Sequence, residues 1–148
     1  MMRKPDSQLE FDLDLATRES QENPVYYVQY GYARLCSILR QAKEKGAEVL
    51  PFAEIDSSLL NTEEEIQLLK SMASFPTLIE HAAFGLEPHR VIFYLIELAG
   101  QFHSYYNKHK VLTEDRRLTS ARLNLAAGLR TVLGNGLRMV GLGTPEKM

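Results

Sequence analysis

The run Glu22-Asn23-Pro24-Val25-Tyr26-Tyr27-Val28-Gln29-Tyr30-Gly31-Tyr32-Ala33-Arg34 decides how the chain is read, because its local signals agree on the opening of a helix. Asn23 is the expected N-cap, since its side-chain oxygen can accept from the free amides of the first turn. Pro24 follows at the first helical position, where its missing donor costs nothing and its φ is already helical. Val25, Val28, Tyr32, Leu35, Leu39 and Ala42 then recur at steps of three and four, one apolar stripe. The spacing predicts helix to about Lys45, with Gly46 as a left-handed C-terminal cap. Tyr26, Tyr30, Arg34, Ser37 and Gln41 form a second stripe on a different face. That stripe admits two readings. It is a solvated face whose tyrosines pack half-buried against a neighbour, or a face whose rings and guanidinium stack on unpaired bases and hold phosphate.

Upstream, Leu9, Phe11, Leu13 and Leu15 alternate with Glu10, Asp12 and Asp14, the period of a strand or extended segment. Downstream, Pro51, Ser57 and Ser58 predict an irregular connection from about Ala47 to Asn61. Thr62-Glu63-Glu64-Glu65 is a capping box opening a short second helix, with its three glutamates at the positive end of the dipole. Ile66, Leu69 and Met72 or Ala73 are its expected buried face. Phe75-Pro76 is expected to interrupt it, with Pro76 starting a third helix that ends near Phe84-Gly85. A fourth begins at Glu87-Pro88, with Pro at its first position, and shows Val91, Ile92, Leu95, Leu98 or Ala99, Phe102 and Tyr106 on one face through about Asn107. The last runs from about Asp115 through Leu118, Ala121, Leu125, Leu129 and Val132. Asn135-Gly136 would signal a hairpin between strands, but both flanks have helical period, so a kink or a break into a short terminal helix is expected. The fold class is all-α: a bundle of about five helices with short connections.

A chain of 148 residues, 45% hydrophobic and free of low-complexity tracts, fits one folded domain. No apolar run approaches the ~20 residues that span a bilayer, and no apolar segment follows the charged start as in a signal peptide. One cysteine, Cys36, cannot form an internal disulfide, which fits a reducing cytoplasm. Its place beside the apolar stripe makes it a packed thiol. The net charge of −2 hides an asymmetry. Residues 1–80 hold 8 Lys+Arg against 14 Asp+Glu, and residues 81–148 hold 9 against 5 with all four histidines. The basic second half permits a polyanion partner without forming a dense basic stripe.

Enzyme chemistry finds little support in these residues. No two of His81, His89, His103 and His109 are four apart, and no Glu-x-x-His spacing is present. Without a cysteine cluster there is no expected zinc site. Nothing pairs Cys36 or a serine with a base. Gly134, Gly136, Gly141 and Gly143 lack the lysine and strand of a phosphate-cradling loop.

The string Glu22 to Tyr30, with Ser7-Gln8-Leu9-Glu10-Phe11-Asp12-Leu13-Asp14-Leu15-Ala16 before it, closely resembles class I arginyl-tRNA synthetases at the junction of their catalytic and anticodon-binding domains. Leu86-Glu87-Pro88-His89-Arg90, Tyr94 to Ala99 and Phe102-His103-Ser104-Tyr105-Tyr106-Asn107 form a second similar block. Val132 to Leu137 with Pro145-Glu146-Lys147-Met148 resemble the family's terminal helix and closing methionine. The resemblance spans essentially the whole chain. It implies a C-terminal fragment, with residues 1–16 the tail of the catalytic domain and 17–148 a helical (DALR-type) anticodon-binding domain. The HIGH-like and KMSK-like sequences that bind ATP in the family are absent, so the fragment is expected to be inactive alone, without a catalytic residue, metal or cofactor. ATP with magnesium would belong to the parent enzyme's catalytic domain.

The family's anticodon contacts map onto Tyr30, Arg34, Tyr106, Lys110 and Met148. Tyr30 and Tyr106 would stack on bases, Arg34 would hold phosphate or a base edge, and Met148 would pack at the loop with its terminal carboxylate accepting from a base. Tyr106 also falls on the apolar face of its helix, so a place in the core is open to it. Two departures stand out. Gly31-Tyr32 replaces an Ala-His frequent in the family, and Lys110 stands where some relatives carry an aromatic. The expected partners are arginine tRNA, through its anticodon loop, and the catalytic domain of the same chain, with no membrane and the fragment a cytoplasmic monomer. A reading from another class is a helical protein–protein interaction module with the tyrosine-rich face as its hot spot.

Overall fold

The structure, a computed structural model, describes residues 23–148. The extended segment expected at residues 9–15 and the junction at 1–16 lie outside the described residues. Four helices make up the described bundle: α1 (Pro24–Glu44), α2 (Glu63–Phe84), α3 (His89–Lys108) and α4 (Arg116–Met139). Two short 3-10 turns, Phe52–Glu54 and Ser57–Leu59, punctuate the irregular connection between α1 and α2. α3 and α4 lie against each other at the centre, and α1 and α2 each pack on both of them. This position buries α4 on most of its circumference, including Ala121, Leu125, Leu129, Leu133 and Leu137.

α1 begins and ends as its sequence dictates. Asn23 accepts from the amides of Val25 and Tyr26 at 3.0 and 3.4 Å. At the other end Gly46 takes φ +75°, and the Ala47 amide reaches back to the Ala42 carbonyl. The buried face is wider than the predicted stripe, because α1 touches two helices. Val28, Tyr32, Leu35 and Ala42 are joined in the core by Ala33, Cys36 and Ile38. Burial pushes the Cys36 thiol up, consistent with packing.

Three expectations are corrected. The second and third predicted helices are one continuous α2, so the bundle has four helices among the described residues, with Pro76 inside α2. Pro76 cannot donate to the carbonyl of Met72, but the adjoining turn is fastened from outside. The Tyr94 hydroxyl on α3 donates to the Ser71 carbonyl at 2.7 Å, and the Phe75 ring stacks on Tyr94 with centroids 5.4 Å apart. The buried face of α2 also differs from the prediction. Ile66 and Leu69 are exposed, and Glu65, Leu68, Phe75 and Ala82 face inward.

The third correction concerns Asn135-Gly136, where α4 continues unbroken to Met139. These glycines serve close packing. A Cβ on Gly136 would lie 2.4 Å from Cδ2 of Leu95, and one on Gly134 would lie 2.9 Å from the Tyr32 ring. Just beyond α4 the chain turns at Gly141, at φ +75°, with the Leu142 amide bonded to the Leu137 carbonyl. A smaller shift occurs at α3, where Pro88 is the cap rather than the first helical residue.

Glu65 does more than close its capping box. The box forms as predicted, with the Thr62 amide on Oε2 of Glu65 at 3.1 Å and the Glu65 amide on the Thr62 hydroxyl at 3.3 Å. The carboxylate is fully buried, however, and its Oε1 accepts from Nε of Arg122 at 2.8 Å and from the Tyr105 hydroxyl at 3.2 Å. Arg122 goes on to donate through Nη1 to the Lys110 carbonyl at 2.7 Å, tying the α3–α4 connection to the bundle. Burial pushes the Glu65 carboxyl up, but the Thr62 amide and Arg122 outweigh it and leave it below the usual range. Burial and the neighbouring carboxylate push the Tyr105 phenol well above its ordinary value.

Candidate nucleic-acid interface

The second stripe of α1 opens into a cleft of about 410 Å³, walled by α1, the end of α3 and the C-terminal segment. Four of the five predicted contact residues line it: Tyr30, Arg34, Tyr106 and Met148. Ser37 and Gln41 from the same stripe line it too, with Arg40, Glu146 and Lys147. Lys110 is exposed on the α3–α4 connection and is not among the lining residues.

α1 supplies Tyr30, Arg34, Ser37 and Gln41 at one-turn spacing, so they share a face. Tyr106 comes from α3. The core place that periodicity left open is filled by its neighbour Tyr105, and Tyr106 itself is 37% exposed. The turn at Gly141 sends the last residues back across α1. There the Gln29 amide donates to the Gly143 carbonyl at 3.0 Å, which brings Glu146 to Met148 to the mouth of the cleft.

Arg34 sits at the centre of this arrangement. Its guanidinium carbon lies 4.7 Å from the Tyr30 ring centroid and 4.8 Å from that of Tyr106. Its Nη2 donates to the Tyr30 hydroxyl at 2.6 Å, and Nη1 lies 3.5 Å from Nδ1 of His103. The Tyr30 ring stacks on His103 with centroids 5.7 Å apart and lies nearly parallel to Tyr26 at 6.5 Å and 7°. Among the described residues no carboxylate forms an ion pair with Arg34. Aromatic faces around a pre-positioned cation suit a ligand that brings both flat rings and negative charge.

Sequence reasoning weighed His103 only as a metal ligand and missed it as the support of this cluster. The signal available was its position: a polar residue one turn before Tyr106, next to Phe102 on the apolar face. Among the described residues no group of three or more His, Cys, Asp or Glu side chains is placed to hold a metal ion. No helix among them is long and apolar enough to cross a membrane.

Comparisons with known proteins bear on the family and the fold. The model of the DALR anticodon binding domain family matches residues 28–148. The arginine–tRNA ligase of Desulfotalea psychrophila is 59% identical over the whole chain, which covers 27% of that protein. The arginine–tRNA ligase of Geobacter metallireducens is 54% identical over the whole chain, covering 26% of its length. The solved arginyl-tRNA synthetase of Thermus thermophilus superposes with a TM-score of 0.81 at 31% identity, over 99% of this chain and 24% of that one. The chain thus spans about a quarter of the relatives it matches. With the helical bundle and the cation between two tyrosines already in place, the match over residues 28–148 identifies the chain as a member of the DALR anticodon-binding domain family.

Proposed function

We propose that this chain recognises the anticodon loop of arginine tRNA, as the C-terminal domain of an arginyl-tRNA synthetase. The observation that carries this reading is the convergence of Tyr30, Arg34, Tyr106 and Met148 on one cleft, with the guanidinium set between two rings. Anticodon bases are splayed out of the loop and offer faces for stacking and edges for hydrogen bonding. Tyr30 and Tyr106 stack on bases, and Arg34, without a carboxylate ion pair among the described residues, takes a phosphate or a base edge. Ser37 and Gln41 offer donors and acceptors to a base edge deeper along α1, and Met148 closes the mouth. Lys110, outside the cleft, meets phosphate at the margin of the loop.

In this reading residues 1–16 are the tail of the catalytic domain, and residues 17–148 the binding domain. The parent enzyme joins arginine to its tRNA with ATP and magnesium in its catalytic domain, in the cytoplasm. This domain contributes binding energy and orientation at a distance from that chemistry, as a monomer.

The test is binding of the chain to an arginine-tRNA anticodon stem-loop, beside a stem-loop with its central anticodon base changed, at two salt concentrations. We expect discrimination between the two and weaker binding at higher salt. Tyr30→Ala should cost about 1–3 kcal/mol of binding as a lost stacking platform, and Arg34→Ala should also weaken it. Absence of base discrimination at both salts, with folding verified, would overturn the reading and turn attention to the tyrosine-rich face as a protein contact.

A further inference from the structure

We infer that His103, protonated on Nε2 alone, is the positioning residue that holds Arg34 between Tyr30 and Tyr106. The tautomer follows from which atoms can donate. A guanidinium only donates, and a backbone carbonyl only accepts. Nη1 of Arg34 lies 3.5 Å from Nδ1 of His103, and the Tyr27 carbonyl lies 3.5 Å from Nε2. One tautomer satisfies both: the proton on Nε2 faces the carbonyl, and the Nδ1 lone pair faces Arg34. A doubly protonated ring would turn an N–H and a positive charge toward the guanidinium and lose the only acceptor it offers.

The surroundings hold the ring in this state. His103 is 9% exposed, tilted against the Tyr27 ring at 4.7 Å and stacked on Tyr30 at 5.7 Å. Tyr27, Tyr30 and Arg34 are the ionisable groups that α1 brings to it, Phe102 adjoins it on α3, and among the described residues no carboxylate is paired with it. Burial lowers the imidazole below its ordinary range, the Tyr27 carbonyl opposes this, and Arg34 lowers it further. His103 therefore reaches the cleft through Arg34. The consequence for RNA rests on the anticodon reading above, whereas the tautomer and its grip on Arg34 do not.

Two measurements on the full chain separate the two claims. Without RNA, long-range nitrogen–proton NMR should find the Nε2–H form at neutral pH. The Arg34 side-chain signals should move as His103 titrates and stay still in His103→Asn, whose amide oxygen replaces Nδ1 as acceptor. An Nδ1–H ring, or Arg34 signals indifferent to that titration, would overturn the inference whatever the RNA result. With the anticodon stem-loop, wild-type affinity should fall about fivefold or more as His103 protonates. That is opposite to the gain that added positive charge alone would bring. His103→Asn should keep affinity within about twofold at neutral pH and lose that fall, and His103→Phe should cost about fivefold. In an Arg34→Ala background His103→Phe should cost nothing more. An equal loss in both backgrounds would make His103 a packing residue and overturn the inference. Failure of every variant and the wild type to bind RNA would instead count against the anticodon reading, leaving the NMR result to decide the role of His103.

Discussion

Two arginines in this bundle sit in clusters that include tyrosines, and they differ in whether a carboxylate meets them. Arg122 lies 10% exposed against the buried carboxylate of Glu65, with the Tyr105 hydroxyl on the same oxygen and the Lys110 carbonyl beyond. Arg34 has the Tyr30 hydroxyl, two aromatic faces and the Nδ1 of a neutral imidazole, but no carboxylate ion pair among the described residues. The first cluster is closed, with its charge neutralised within the fold. The second is open, with its geometry fixed and no ion pair to its charge among the described residues. A cation completed by the fold stabilises the fold; a cation positioned but not neutralised is available to an anion from outside.

That contrast gives the largest expected effect. Glu65→Ala removes the acceptor from a buried guanidinium and phenol and deletes half of a capping box, so it should destabilise the fold by about 3–5 kcal/mol. In a chain of this size this lowers the melting temperature by roughly 10 °C. Because the Glu65 carboxyl is held below its ordinary value, its contribution is full above the unfolded-state pKa and is lost as pH falls through the folded one. Thermal melts across acid pH should therefore show wild type and variant converging. Melts that stay parallel down to the lowest pH would mean that the ion pair is not what Glu65 contributes.

The open cluster should respond the other way. Arg34→Ala should leave the urea midpoint within about 0.5 kcal/mol of wild type in stability. It should also reduce the salt slope of stem-loop binding by about 1. Arg122→Ala should instead destabilise by several kcal/mol and leave the salt slope of the folded fraction unchanged. If Arg34→Ala unfolds the domain as readily as Arg122→Ala, the distinction between the two clusters fails.

The same division separates what was legible in the sequence from what was not. The ends of α1 and the Thr62–Glu65 box follow from residues within a turn of one another. Tyr30 and Arg34, one turn apart, were legible as a pair for the same reason. Pro76 reads locally as a break, and Tyr94, 23 residues from Ser71, helps to secure that turn from another helix. Glu65 reads as a cap because its second partner, Arg122, is 57 residues away. Tyr105 and Tyr106 are neighbours, and a broad apolar face does not say which one turns inward. His103 joins Arg34 across 69 residues, a contact with no local signature.

The smallest expected effect tests a pair of helical glycines that look alike in sequence and differ in what faces them. At Gly136 a Cβ would meet the buried Leu95 side chain at 2.4 Å, and at Gly31 it would meet Nε2 of His103 at 3.5 Å and Cβ of Ala99 at 3.6 Å. The first distance demands movement in a packed core, so Gly136→Ala should destabilise by about 1–3 kcal/mol. The second is ordinary van der Waals contact, so Gly31→Ala should gain helix propensity without a clash. It should raise stability by about 0.5–1 kcal/mol. Calorimetry of the two variants should move the melting temperature in opposite directions. A fall for Gly31→Ala would mean that the His103 ring needs more room than ordinary contact allows. Such a fall would make Gly31 part of the support for Arg34 rather than a removable cost in α1.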